Sequence, residues 1–472
     1  MKKVVLSALA ATIVTSAVYA ETMTLFSDPK TGQVFTTAGE GRIEMGDFVS
    51  AKEVDIANRE TTSFIAEYQD ADKKSISVIN SKSPKFILGQ ETGPNMKIKS
   101  KDNKDMYMKF GVRLQSTFEN RLKDYANPAT ATAETNDAYM RRVRLEVEAG
   151  FDKHTSFVMD MRNDNANAED KGEQTFNVGD AYLNISKPFD TSLVNFKLYR
   201  GKIDVSRSET AKSAHNLHYD RPHVADEAAQ FITHNRRGTN AQMYGDWEKK
   251  VHYQVAVGDG VYSGAMKDAD GSVLNATAVT GTTLGTVKSQ NFFYGGKIKL
   301  SPFDGWEEEK LTETYMGQGQ HFTVGAAYWK TGNIKTNSTT LGAIDHELIN
   351  LEASAHYKGA SISAEYFEFD GVVKNFTTTM TQASVGKSTG WYTHGEYVFT
   401  DFGFVAPFYR YESWDKFKGA DGYDLTSKIA GVNWYLRGNT TKVGFAVQKD
   451  TYGSALSDYT DTRFKLTSQF HF

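Results

Sequence analysis

A chain of 472 residues with 54 lysines and arginines against 58 aspartates and glutamates carries a formal charge of −4, which argues against a nucleic-acid binder needing a broad basic surface. No stretch approaches eighteen consecutive apolar residues, excluding a bundle of membrane-spanning helices, and the lack of cysteine excludes disulfides, thiolate metal sites and cysteine nucleophiles. Thirty-nine glycines against eight prolines, with 29 Phe, 24 Tyr and 6 Trp, favour many short strands over helices.

Residues 1–20 read as a secretory signal peptide. Lys2 and Lys3 precede an apolar run from Val4 to Val14, too short to span a bilayer, and Val18-Tyr19-Ala20 places the expected cleavage after Ala20. Loss of the two lysines takes the charge from −4 to −6. Export together with the cysteine-free composition points to a bacterial envelope protein. Residues 21–100 follow a different rhythm. A turn at Asp28-Pro29-Lys30-Thr31-Gly32 is followed by short apolar patches, such as Phe64-Ile65-Ala66 and Phe86-Ile87-Leu88, and by charged runs such as Asp70 to Lys74. A small, partly irregular periplasmic or lumenal segment is expected, with 101–472 as a separate domain.

From about residue 106 onward, short segments alternate apolar and polar side chains. Val251, Tyr253, Val255 and Val257 alternate with His252, Gln254, Ala256 and Gly258; Ile349, Leu351, Ala353 and Ala355 alternate with Asn350, Glu352, Ser354 and His356. Such segments begin near 106, 138, 153, 177, 194, 238, 250, 290, 320, 347, 360, 390, 403, 427, 440 and 462, about sixteen strands and an even number. Short turns, as at Phe151-Asp152 and Glu248-Lys249, alternate with long polar links at 119–137, 163–176, 204–237, 260–289, 331–346, 371–389, 414–426 and 450–461. Long external loops and short periplasmic turns are the outer-membrane arrangement. One link breaks the rule: 302–319 is long and acidic, with Glu307, Glu308, Glu309 and Glu313, where a short turn is expected. The last segment sets Thr462, Phe464, Leu466, Ser468, Phe470 and Phe472 on one face and Arg463, Lys465, Thr467, Gln469 and His471 on the other. A final strand with a terminal aromatic resembles that of outer-membrane barrels.

The expected fold is all-β, a transmembrane antiparallel β-barrel of about sixteen strands. Closure pairs every backbone amide and carbonyl between strands, so lipid meets only the outward side chains and the composition can stay polar. At this strand number the interior is too wide for side chains alone to fill, and a water-filled channel follows.

Several motifs resemble those of the phosphate-selective porin O/P family. Met108-Lys109-Phe110-Gly111-Val112-Arg113-Leu114-Gln115 is similar to its first strand, and Tyr139-Met140-Arg141-Arg142-Val143-Arg144-Leu145 to its paired-arginine second strand. Asp180-Ala181-Tyr182-Leu183 and Tyr409-Arg410-Tyr411-Glu412 resemble two further strand signatures, and Gly431-Val432-Asn433-Trp434-Tyr435-Leu436-Arg437-Gly438-Asn439 its penultimate hairpin. The likeness runs over roughly 106–472; residues 21–100 depart from the helical segment of some members. It implies a homotrimeric sixteen-stranded channel for anions, narrowed by the third external loop.

Alternation puts Met140, Arg142 and Arg144 on the lumen face of the second strand, and Arg113, Arg162, Lys197 and Arg410 on the lumen faces of others. The link 204–237 is the expected constriction, with Arg207, Lys212, Arg221, Arg236 and Arg237 offset by Asp204, Glu209, Asp220, Asp226 and Glu227. Rings of Arg and Lys attract anions, and a narrow throat focuses their field. Two readings stay open: an anion-selective wall, or inward ladders in which Arg142 and Arg144 pair with Glu146, Glu148, Asp160 or Asp180. The expectation is an outer-membrane porin for small hydrophilic solutes, anion-preferring, with phosphate a narrower option; its partners are those solutes and outer-membrane lipid.

Other chemistry is weaker. His215, His218, His223 and His234 match no metal-ligand spacing, and Asn163 to Asp170 lacks the glycine and terminal glutamate of a calcium loop. No cofactor or metal is expected, and no hydrolase or phosphate-cradling motif occurs, so the chain reads as a non-enzyme. An adhesin or surface-antigen barrel, or less favourably an outer-membrane hydrolase, remain the alternatives.

Overall fold

The computed structural model describes residues 22–27, 34–35 and 43–49. From 96 to 471 it describes all but 101–102, 104, 128–131, 167, 169–174, 212, 234–235, 262–283, 303–312, 317–319, 375–380 and 454–457. The signal segment 1–20, the turn Asp28 to Gly32, Lys212, His234 and Phe472 lie outside the described residues. In the amino-terminal segment β1 (Thr22–Ser27) pairs antiparallel with β2 (Val34–Phe35) and β3 (Ile43–Val49) in a three-stranded sheet.

The remaining strands close a barrel. Its staves are β5 (Tyr107–Tyr125), β6 (Ala133–Gly150), β7 (Thr155–Ala166), β8 (Asn177–Ile185), β9 (Asn195–Arg200), β10 (Thr239–Trp247) and β11 (Val251–Gly258). They continue as β13 (Phe293–Leu300), β14 (Gln320–Thr336), β15 (Ile344–Tyr357), β16 (Ala360–Val373), β17 (Val385–Tyr397), β18 (Val405–Asp415), β19 (Asp424–Asn439), β20 (Thr441–Tyr452) and β21 (Tyr459–His471). That makes sixteen, each starting within five residues of the position read from alternation. Closure comes from β21 against β5, from Tyr459↔Tyr125 to His471↔Arg113. Two short strands add to the ring: β4 (Met96–Lys99) pairs with β5, and β12 (Val287–Ser289) with β14. Four residues of Met-Lys-Ile-Lys are too few to show a period, so β4 falls within the amino-terminal segment 21–100 expected from sequence.

Two features depart from the alternation reading. The first loop is shorter than 119–137, because β5 climbs to Tyr125 and β6 starts at Ala133, pairing polar residues such as Asn120 with Asn136. Asn163 to Ala166 likewise belong to β7 rather than to a loop. The hairpin β10–β11 turns through Glu248 and Lys249, both with left-handed φ (50° and 55°), which matches the right-handed twist of the flanking strands.

Outward side chains are apolar, as on β21, where Phe464, Leu466 and Phe470 are exposed while Lys465, Thr467, Gln469 and His471 are buried inside. Inward side chains are not uniformly polar. Phe293, Trp329, Leu348, Phe367, Phe369 and Tyr392 line the inner wall of β13–β17, and against them packs the 201–238 connection. That connection holds two helices, α1 (Arg207–Thr210) and α2 (His223–Ile232). Helical spacing brings Val224, Ala225, Ala228, Ala229 and Ile232 onto one stripe of α2, and that stripe meets the aromatic wall.

The acidic connection 301–319 is described at 301–302 and 313–316, and over 313–316 it meets the inward loop and the barrel wall. Glu313 donates its N–H to His215 O (3.0 Å), and its carboxylate accepts the Leu217 N–H (2.7 Å). Met316 packs with Val398, Phe404, Ala406 and Tyr435. Through Glu313 the link supports the inward loop from the short-turn end.

Candidate solute-binding vestibule

Between the inward loop and the wall formed by β5–β7, β20 and β21 lies a cavity of about 510 Å³. Eleven arginines and lysines line it against five aspartates and glutamates, an excess of six cations in a chain that is acidic overall. The wall contributes Arg121, Arg141, Arg142, Arg144, Arg162, Arg463 and Lys465; the loop contributes Lys202, Arg221, Arg236 and Arg237.

A β-bulge shapes this wall. Gln115 faces Arg142 and Ser116 faces Met140, so the register skips Arg141. The extra residue reverses the alternation above it, and Arg141, Tyr139 and Asp137 join Arg142 and Arg144 around the cavity. This corrects the inward placement of Met140, since strict period-two reading cannot foresee a bulge.

Most of the cations are compensated. Arg144 Nη2 lies 3.0 Å from Asp164 Oδ2, Arg237 Nε 2.8 Å from Asp180 Oδ1, and Arg121 and Arg463 each 2.7 Å from Asp461 Oδ2. Asp220 bridges Arg141 (2.9 Å) and Lys465 (2.5 Å). On the loop, buried Glu209 gathers Lys202, Arg221 and Arg236. Burial alone raises the Glu209 carboxyl, but Arg236, Lys202 and Arg221 outweigh it and hold it well below the usual range. Asp220 is held down in the same way, burial being outweighed by Lys465 and Arg141. One cation is left over and a second is held only loosely. Arg142 donates to Gln115 Oε1 (2.7 Å) and Tyr219 O (2.9 Å) and has no carboxylate within ion-pair distance among the described residues. Arg162 comes no closer than 3.9 Å to Asp164.

Of the ten cations singled out by sequence, Arg142, Arg144, Arg162, Arg221, Arg236 and Arg237 line the cavity; Arg113, Lys197, Arg207 and Arg410 do not. Arg113 is buried behind the loop, paired with Glu146 and donating to Ser213 Oγ (3.3 Å). The Lys197 ammonium sits 4.6 Å from the Tyr182 ring centre and 5.4 Å from that of Tyr199. Arg207 is buried in α1, its Nη2 donating to Tyr315 Oη (3.3 Å). Arg410 donates to the carbonyls of Asp220 (2.8 Å) and Arg221 (3.3 Å). Facing the lumen is thus not enough: where the loop covers the wall, an inward arginine holds the loop. Arg121 falls within the polar link expected at 119–137, although it continues the inward series Arg113, Gln115, Thr117, Glu119. Lys202 and Arg141 carried no periodic signal.

The loop histidines are scattered. Burial drives the His218 ring down to about 3, so it stays neutral, while His223 lines the cavity beside Asp450. Among the described residues, no group of three or more histidines, cysteines or carboxylates is placed to hold a metal ion.

A closed sixteen-stranded barrel, apolar outside and charged within, with a long loop folded into its lumen, is the architecture of a bacterial outer-membrane porin, a channel rather than an enzyme. The chain belongs to the phosphate-selective porin O and P family, whose model matches residues 110–469. An anion-selective porin from Comamonas acidovorans shares the fold at a TM-score of 0.50 and 13% identity, over 77% of this chain and 99% of that one. So does the outer membrane channel DcaP of Acinetobacter baumannii, at a TM-score of 0.50 and 10% identity over 79% and 99%. No curated protein matches the chain.

Proposed function

We propose that the protein forms a water-filled pore for passive diffusion of small hydrophilic solutes with a preference for anions. The observation that carries this reading is Arg142 on the vestibule wall, with no carboxylate within ion-pair distance among the described residues, in a lining of eleven cations whose other members are held by ion pairs. A solute crossing there exchanges water for guanidinium donors, whose planar fork suits carboxylate and phosphate alike. The ion pairs on the rest of the wall hold those guanidinium groups in place, so ladder and selective wall coexist.

The proposal includes export by a signal cleaved after Ala20 and assembly as a homotrimer. Support for lateral contact comes from the wall itself. A spanning strand needs about 9–11 residues, yet β9 has six and β11 and β13 eight each. A second copy set against this low stretch would shield what lipid cannot match.

Single-channel recording in a planar bilayer under a KCl gradient tests the reading. A reversal potential on the chloride side, with current reduced by added phosphate, is the expected result. A reversal potential on the potassium side, or no conductance, overturns it.

A further inference from the structure

Residues 220–224 place three vestibule side chains in quick succession, Asp220, Arg221 and His223, around Pro222. Pro222 is the N-cap of α2 and offers no side-chain hydrogen bond to the first amides of the helix. Those amides are nevertheless satisfied, from across the barrel. Glu412 on β18 accepts the N–H of His223 (3.0 Å) at Oε2 and the N–H of Val224 (2.7 Å) at Oε1. Two residues earlier on the same face, Arg410 donates to the carbonyls of Asp220 and Arg221. Both side chains are buried, and Glu412 has no lysine or arginine within ion-pair distance among the described residues. An acceptor and a donor spaced two residues apart on one strand, about 7 Å, thus meet the amides and carbonyls on either side of one proline.

We infer that Arg410 and Glu412 are positioning residues of the channel: a clamp on β18 that fixes the height and rotation of the constriction turn, and with it the vestibule's charge pattern. The apolar stripe of α2 brings the loop to the wall, but apolar contact is non-directional and leaves the helix able to slide. The clamp removes that freedom, because a bidentate carboxylate accepts two consecutive amides in one geometry only. Glu365 on β16 repeats the device at α1, accepting the N–H of Arg207 (3.1 Å) and Ser208 (2.9 Å). With the clamp in place, Asp220 reaches Arg141 and Lys465, and Arg221 points into the cavity.

The test compares native protein with Glu412→Gln, Glu412→Asp and Arg410→Lys, each purified in detergent and checked for heat-modifiable migration of the folded barrel. Glutamine sets an amide donor against one of the two N–H groups. Hydrogen exchange of the 219–226 segment is expected to speed up by about tenfold or more in E412Q, as charge-assisted bonds are lost, with exchange in the β-strands unchanged. In bilayers the anion-to-cation permeability ratio is expected to fall toward unity, with E412D and R410K lying between. A folded E412Q barrel with native exchange and a native ratio overturns the inference; so does failure of all three variants to fold, which would make the pair an assembly requirement. The inference rests on the channel reading only for its permeability arm. If native protein does not conduct, that reading fails, while the exchange result still decides the clamp.

Discussion

Arg141 and Arg142 are neighbours in the chain, and both project into the lumen, because the β-bulge at this point inserts Arg141 between the residues that face Gln115 and Ser116. The two have different electrostatic surroundings. Arg141 is tied to Asp220, whereas among the described residues Arg142 donates to a glutamine oxygen and the Tyr219 carbonyl and to no carboxylate. Arg142 therefore carries its charge with no carboxylate within ion-pair distance among the described residues. Arg142→Gln is expected to lower the anion-to-cation permeability ratio by about fivefold at low salt, since a unit charge at ~4 Å in water is worth about 1 kcal/mol. The effect is expected to shrink as ionic strength rises. Reversal potentials measured at two salt concentrations check both points; an unchanged ratio at low salt would remove Arg142 from the selective path.

Seating of the loop depends on α2. Ile232 is fully buried among the aromatic side chains of the inner wall. Ile232→Ala is expected to cost about 2–5 kcal/mol of local stability, and Val224→Asp more, by burying an unpaired carboxylate. Neither touches the strand ladder, so the barrel is expected to form while the loop becomes open to protease. Limited proteolysis of folded protein, with cleavage sites mapped between 201 and 238, distinguishes this from global unfolding.

How much of this was readable from sequence follows from which interactions are local. Strand number and the inside-outside sense of β11, β15 and β21 rest on period-two alternation, and they agree with the structure. The bulge at Arg141 depends on cross-strand register, which a single strand does not encode. The helix α2 left a trace in Val224, Ala225, Ala228, Ala229 and Ile232, but four nearby histidines and many charges gave the segment a polar average. Whether an inward cation faces solvent or loop backbone depends on how a 38-residue connection, 201–238, folds back. Arg113 and Arg410 were for that reason placed on the lumen face by alternation, yet lie beneath the loop. The support from Glu313 comes from a residue about a hundred positions from the loop residues it holds, His215 and Leu217, beyond the reach of any local pattern.

The low stretch of wall predicts where subunits meet. Leu198 on β9 and Tyr409 on β18 both face outward and are exposed, and they lie on opposite sides of the ring. The chain has no native cysteine, so Leu198→Cys and Tyr409→Cys each provide a single reactive thiol. A short bifunctional thiol reagent is expected to join L198C subunits into a covalent dimer, the largest product one thiol per subunit allows, and to leave Y409C monomeric on denaturing gels. The reverse pattern would move the contact to the tall side of the barrel.

Charge in the vestibule is also expected to vary with pH through His223. Its Nε2 lies 3.2 Å from Asp450 Oδ2, and the Gln448 amide donates to the same oxygen (2.8 Å). Burial pulls the imidazole down, but the hydrogen bond and charge of Asp450, with Glu412 beyond, outweigh it and Arg410, leaving His223 above the ordinary value of 6.5. A histidine raised on folding contributes stability in full below about 6.5 and loses it as pH climbs through the folded value. Over that upper window the vestibule gives up one cation. Anion preference is therefore expected to be highest in mild acid and to step down above pH 6.5, while His223→Asn holds the lower level throughout. Reversal potentials taken across pH 5.5 to 9 for both proteins (about the range in which histidine titrates) read the step directly. If H223N retains it, another group is responsible, and the contact between His223 and Asp450 serves the loop alone.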